Sequence, residues 1–168
     1  MANQTATRIL GIDPGLNTTG YAVIELAGAN IEVVEAGVVR SRQRDELALK
    51  VAAIHEGIAD VIRSLQPSAM AIEELYSHYD RPRTSILMGH ARGVIVLAAT
   101  QAEIPVVHYS ATQVKKILTG SGRAPKSQMQ DAIQRELRLK KLPEPADVAD
   151  ALAIALCHRY LGNRLAEA

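Results

Sequence analysis

Apolar positions along the chain fall into short unbroken runs and longer stretches with helical spacing. The short runs, bounded by Gly, Pro and polar residues, predict strands at 8–13, 20–26, 31–39, 69–73 and 104–109. The longer stretches predict helices at 45–65, 85–102, 110–118, 126–139 and 146–161. The clearest stripe is Leu47, Val51, Ile54, Ile58, Val61, Ile62 and Leu65, one face of a helix ended by Gln66-Pro67-Ser68. Pro14-Gly15 predicts a turn. Ala27-Gly-Ala-Asn30 is short enough to close an antiparallel hairpin. Ser110 suits a helix N-cap, and Pro145 suits the first turn of the last helix.

Three strands followed by alternating helices and strands predict an α/β fold, a mixed five-stranded sheet with helices on both faces. Parallel strands joined by helices carry functional groups at their C-terminal ends. There is no internal repeat, low-complexity tract or clear linker. Residues 1–168 therefore read as a single domain, with a flexible leader at 1–7 and a flexible tail at 162–168.

Against this pattern four acids stand out. Asp13 ends the run Ile9-Leu10-Gly11-Ile12, and Glu73 ends Met70-Ala71-Ile72. Asp147 and Asp150 lie at i and i+3 at the start of a nearly all-apolar helix. A carboxylate beside buried apolar chain carries a desolvation cost and needs a partner or a metal. If the first two strands are neighbours, their acids share one sheet edge. Hard oxygen donors of this kind suit Mg²⁺ or Mn²⁺, and a pair of such ions is one way to hydrolyse a phosphodiester.

Each acid also has a plainer reading. Asp13 before Pro14-Gly15 is an ordinary turn residue, and Asp-x-Gly also occurs in phosphate loops of actin-like ATPases. Glu73 and Glu74 are neighbours that alternation sends to opposite faces, and the residues alone do not choose between them. Asp147 is favoured near a helix N-terminus by the macrodipole, which accounts less well for Asp150, placed deeper in the helix.

Composition narrows the class without naming it. Hydrophobic residues make up 48% and charged residues 22%, ordinary for a globular protein. The longest uncharged apolar stretch, 93–100, is far too short to span a bilayer. The single Cys157 excludes an internal disulfide framework and Cys-rich zinc sites, and a cytoplasmic protein is expected. The net charge of +1 conceals an asymmetry. Residues 1–80 carry 6 basic and 11 acidic residues, a net −5. Residues 81–141 carry 11 basic and 3 acidic residues, a net +8. A basic middle segment beside a set of acids suits a polyanion held by one region and cut by another. Taken singly, Arg135, Arg138, Lys140 and Lys141 read as solvated helix surface.

Over nearly its whole length the chain resembles the RuvC family of Holliday junction resolvases. The resemblance is carried by Leu10-Gly-Ile-Asp-Pro-Gly-Leu-Asn-Thr-Thr-Gly-Tyr21, Ala71-Ile-Glu-Glu74, Ala91-Arg-Gly93, Gln113-Val-Lys115, Lys126-Ser-Gln128 and Ala146-Asp-Val-Ala-Asp-Ala-Leu-Ala-Ile-Ala155. The first and last are highly specific at this spacing. The resemblance implies an RNase H-like fold, a homodimer, and paired symmetric nicking of four-way DNA junctions in recombination and repair. It implies two Mg²⁺ ions per site, with Mn²⁺ able to substitute, and a RuvA/RuvB branch-migration complex as partner. By matching position it makes Asp13, Glu73, Asp147 and Asp150 the catalytic, metal-binding acids, and it is the resemblance that selects Glu73 over Glu74. It places Lys115 and Lys126 on the DNA backbone near the cut. Tyr76 matches an aromatic position that contacts bases, where stacking is worth ~1–3 kcal/mol per base. Segment 77–83 departs from the family pattern, so Arg81 and Arg83 are candidate DNA contacts without a defined role. His78 has no assigned role, and His90 reads as a packed or interface residue rather than a ligand.

Two other enzyme classes share parts of this pattern. A YqgF-like nuclease acting on RNA has the same fold, but the paired acids and the two lysines favour RuvC. An actin-like ATPase closes two such domains over a nucleotide, and 168 residues are too few. A non-catalytic junction-binding module is disfavoured by the intact acids.

Overall fold

The computed structural model describes residues 7–75 and 81–166. Its elements are β1 (Thr7–Asp13), β2 (Thr18–Ala27), β3 (Asn30–Arg40), α1 (Leu47–Leu65), β4 (Ala69–Glu73), α2 (Pro82–Gln101), β5 (Val106–Tyr109), α3 (Ala111–Thr119), α4 (Lys126–Leu137) and α5 (Ala146–Ala166). The strands form one sheet in the order β3-β2-β1-β4-β5. β1 and β2 pair antiparallel, as do β2 and β3, whereas β4 runs parallel to β1 and to β5.

Alternation along β1 sends side chains to two cores. Leu10 and Ile12 join Val23, Met70 and Ile72 under α1 and α2, where Ile54, Ile58, Ala91 and Ile95 are fully buried. Ile9, Ala22, Ile24 and Ala71 pack under α5, against Ala151, Leu152, Ala155 and Leu156, with Val114 of α3 and Ile133 of α4 beside them. Both faces of the central strands are therefore dry, which is why they read as continuous apolar runs. Among the described residues, no helix is long and apolar enough to cross a membrane.

The differences from the expected boundaries have local causes. β5 starts at Val106 rather than Ile104 because Ile104 N–H closes the end of α2 on Ala99 and Pro105 has no N–H to give the sheet. α4 stops at Leu137, where Arg138 turns left-handed at φ 51° and Leu139 N–H returns to the Gln134 carbonyl. Pro145 precedes α5 rather than lying in its first turn, and its carbonyl accepts from Val148 N–H. α5 runs through Gly162 to Ala166, so most of the expected flexible tail is helical. A helical glycine costs ~1 kcal/mol and need not end a helix. The expected leader meets the sheet at Thr7, and the rest of it lies outside the described residues.

Candidate active site at the carboxyl edge of the sheet

Parallel pairing of β1 with β4 sets Ile12 opposite Ile72, so Asp13 and Glu73 leave the same sheet edge from adjacent strands. α5 brings the other two acids to that edge because glycines let it lie directly on the sheet. A Cβ on Gly11 would stand 2.2 Å from the Ala151 carbonyl oxygen, and one on Gly20 would stand 2.1 Å from that of Asp147. Gly20 is also the cross-strand partner of Asp13. The turn after Asp13 is pinned by Thr19, a fully buried polar residue. Its hydroxyl donates to the Gly15 carbonyl at 2.8 Å and accepts from Gly15 N–H at 3.3 Å.

The acids feel one another. The Asp13 carboxyl is pushed up from 3.8 to about 7, first by burial, then by Asp150, Glu73 and Asp147, with Lys126 opposing. Glu73 is raised by burial and by Asp150, against the pull of Lys115 and Arg92. Asp150 is raised by the low-polarity wall behind it and by Asp147, with Lys126 pulling the other way. Yet Asp150 keeps much of its surface open to solvent. It stands at the mouth of a cleft, not deep in the apolar body of α5 as its neighbours in sequence suggested. The helix is buried at Val148 and Ala149 and then continuously from Ala151 to Cys157.

The cleft, about 300 Å³, is lined by Glu73, Asp150, Lys115 and Lys126 on its polar side and floored by Val114, Met129, Ala153 and Ile154. Lys115 is aimed there by a well-built helix start. The Ser110 hydroxyl accepts from Gln113 N–H at 3.1 Å, the Gln113 side chain accepts from Ser110 N–H at 2.8 Å, and Val114 is buried. Lys126 is the first residue of α4, where unpaired backbone N–H groups add to its charge.

Four carboxylates with no sulfur or imidazole among them, with the proton affinity of Asp13, Glu73 and Asp150 raised, form a donor set that fits a hard divalent cation. Glu73 and Asp150 line the cleft, whereas Asp13 and Asp147 are not part of its lining. Among the described residues, no three Asp, Glu, His or Cys side chains are drawn together closely enough to hold an ion. The gathering expected of the four acids is thus present in the elements that carry them and incomplete in the carboxylates, as mutual repulsion favours.

The other described candidates do not line the cleft. Arg81 and Arg83 are exposed at the start of α2 and do not line it. Tyr76 and His78 lie outside the described residues. His90 is exposed on α2. Glu74 is exposed, and its charge acts on Arg92 and His108 rather than on the cleft acids, so geometry separates it from Glu73. Arg92 is the residue that reasoning from the sequence passed over. Half-buried on α2, it donates from Nε to the Glu73 carbonyl at 2.9 Å. Its signal was present in the Ala91-Arg-Gly93 match, as a cation inside an apolar helix.

The family profile described as "Crossover junction endodeoxyribonuclease RuvC" matches residues 9–158. The chain belongs to the RuvC family. A RuvC of Rhodopirellula baltica is 58% identical over 159 residues, covering 95% of this chain and 89% of the relative. One from Desulforamulus reducens is 43% identical, covering 89% and 91%. Among solved structures, Thermus thermophilus RuvC superposes with a TM-score of 0.87 at 32% identity, covering 94% of this chain and 96% of that one. The same protein in complex with a Holliday junction substrate gives 0.88 at 31%, with the same coverage. The mixed sheet and its helices are thus the RNase H-like fold of RuvC. The family activity is that of a crossover junction endodeoxyribonuclease. It is favoured over a YqgF-like RNA nuclease, an actin-like ATPase or a non-catalytic junction-binding module.

Proposed function

We propose that this RuvC-family chain resolves four-way DNA junctions with Asp13, Glu73, Asp147 and Asp150 as its metal-holding acids. The observation that carries the reading is the meeting of β1, β4 and α5 at one sheet edge, where Glu73 and Asp150 share a single cleft with Lys115 and Lys126 and Asp13 feels the charge of the other three acids. Asp13, Glu73, Asp147 and Asp150 would hold two Mg²⁺ ions, replaceable by Mn²⁺, which would supply Lewis-acid activation of water and charge neutralisation at the phosphate. The residues themselves do the rest. Lys115 and Lys126 hold the strand by its phosphates, and the apolar floor of Val114, Met129, Ala153 and Ile154 keeps the inner wall dry. Arg81 and Arg83, exposed at the start of α2, are assigned to DNA outside the cleft, and Tyr76 is assigned to bases at the junction.

Two symmetric cuts require two such sites related by a two-fold axis, which a homodimer supplies. Exposed Ile86, His90, Gly93 and Leu97 recur along one face of α2 and offer a surface for it. A cytoplasmic location and work alongside RuvA/RuvB belong to the same proposal. The test is a synthetic mobile junction incubated with Mg²⁺ or Mn²⁺, with nicks mapped on all strands against linear duplex. Paired symmetric nicks are expected, together with their loss in Asp13→Asn while junction binding persists. Cleavage retained by Asp13→Asn would refute the metal-site assignment.

A further inference from the structure

Glu73 is the last residue of β4, and the strand leaves the sheet immediately after it. Its backbone is held from both sides. Glu74 N–H donates to the Tyr109 carbonyl at 2.8 Å, which fastens the exit to β5. The Glu73 carbonyl receives Arg92 Nε at 2.9 Å, reaching across from α2. The other end of the same guanidinium, Nη2, meets Nδ1 of His108 at 2.5 Å, and His108 is the β5 residue opposite Ile72. For Nδ1 to accept, the imidazole carries its proton on Nε2. One planar cation therefore ties α2, the end of β4 and β5 together directly behind a carboxylate that faces the cleft.

We propose that Arg92 is the positioning residue of the active site, fixing the Glu73 backbone so that its carboxylate is presented to the divalent ions. The inference rests on the assignment of Glu73 as a metal-holding acid. Arg92 is half-buried on the far side of the strand end and is absent from the cleft lining, so it does not act by touching DNA. Its charge alone is not the device. A lysine would keep the attraction to Glu73 and Glu74 but offers a single ammonium, which cannot span the carbonyl and the imidazole as the guanidinium fork does. Groups that orient a metal ligand from behind matter roughly ten- to hundredfold in metal affinity or activity.

The experiment compares Arg92→Ala, Arg92→Lys and Glu73→Gln with the unchanged protein. Mn²⁺ binding is read without DNA by the electron spin resonance of free Mn²⁺, cleavage by single turnover on saturating junction, and junction binding without divalent ions. Arg92→Lys, the gentler change, keeps the proposal testable if Arg92→Ala does not fold. Both Arg92 variants are expected to lose Mn²⁺ affinity and cleavage rate by roughly tenfold or more, with junction affinity unchanged. An Arg92→Lys protein with normal Mn²⁺ affinity and rate would overturn the proposal. So would a loss confined to junction affinity, which would make Arg92 a DNA contact. Glu73→Gln separates the two levels. If it still cleaves, the assignment of Glu73 fails. If it is inactive beside an unimpaired Arg92→Lys, only the role of Arg92 fails.

Discussion

Gly20 lies against the backbone of Asp147 so closely that a Cβ at position 20 would stand 2.1 Å from the Asp147 carbonyl oxygen. Across the β1–β2 ladder the same glycine faces Asp13. The absence of one methyl group thus sets how closely the helix that carries the last two acids lies on β2, the strand paired with the one that carries the first. Gly20→Ala is expected to lift the start of α5 off the sheet, because the opposing atom is backbone and cannot rotate away. Overpacking of this kind costs about 1–3 kcal/mol. Cleavage should fall further than the stability loss explains, since Asp147 and Asp150 move with the helix. Thermal denaturation and single-turnover cleavage measured on the same preparation check this. A stable variant with full activity would show that α5 need not sit where Gly20 allows it.

The raised Asp13 carboxyl gives the metal-free protein an unusual pH dependence. Its value of about 7 lies above the 3.8 of an ordinary aspartate, so the folded chain holds a proton that the unfolded chain has released. Between about pH 4 and 7, stability without divalent ions is therefore expected to decline as pH rises, then level off. Glu73 and Asp150 are shifted in the same direction and add to the decline. Mg²⁺ should reverse it, stabilising the protein most above pH ~7, where the acids are free of protons. Asp13→Asn should flatten the slope. The lowered His108 and His158 pull the total slope the other way, so the comparison that decides is between the unchanged protein and Asp13→Asn. Melting temperatures across this window, with and without Mg²⁺, supply it, and an Asp13→Asn slope identical to that of the unchanged protein would contradict the raised Asp13 carboxyl.

The parts of the site visible in the sequence were those written in local pattern. Asp13 and Glu73 interrupt the end of apolar runs, and Asp147 and Asp150 interrupt an apolar helix, so their cost of burial could be read one segment at a time. The strand spans followed from the same runs, and β4 from Ala69 to Glu73 has the expected ends. What pairs distant segments was not visible. Nothing near Gly20 announces Asp147, and nothing near Arg92 announces the Glu73 carbonyl, because each contact depends on which elements become neighbours. Glu73 and Glu74 look alike for the same reason, since the face each meets is set by β1, β5 and α2. The solvent-open placement of Asp150 also depended on how α5 is rotated on the sheet, which a helix with apolar residues on nearly every side does not declare.

Lys115 and Lys126 line the cleft, whereas Lys140 is an exposed cation that does not line it. If the first two hold phosphates of the cleaved strand, Lys115→Ala and Lys126→Ala should each weaken junction binding and reduce the salt slope by about one. Lys140→Ala should leave the slope unchanged. The variants also differ in their effect on the acids. Lys126 opposes the raised proton affinity of Asp13 and Asp150, and Lys115 that of Glu73. Loss of Lys126 should therefore move the acid limb of the cleavage profile to higher pH. Binding titrations at several salt concentrations give the slopes, and an unchanged slope for Lys115→Ala would remove that residue from the phosphate contacts.

Ile86 is 63% exposed and Leu97 is 47% exposed on α2, with His90 and Gly93 between them on the same face. An exposed apolar face on a helix whose other side is fully packed is costly in a lone chain and natural in a two-fold interface, where each copy covers the other. Ile86→Glu should leave the fold of one chain intact, since that side chain packs little within it. In a dimer it would place two carboxylates against apolar surface. Sedimentation is expected to find dimers of the unchanged chain and monomers of Ile86→Glu at the same concentration, and junction products should shift from paired to single nicks as the second site is lost from register. If Ile86→Glu sediments like the unchanged protein and still makes paired nicks, the two-fold contact lies on another face.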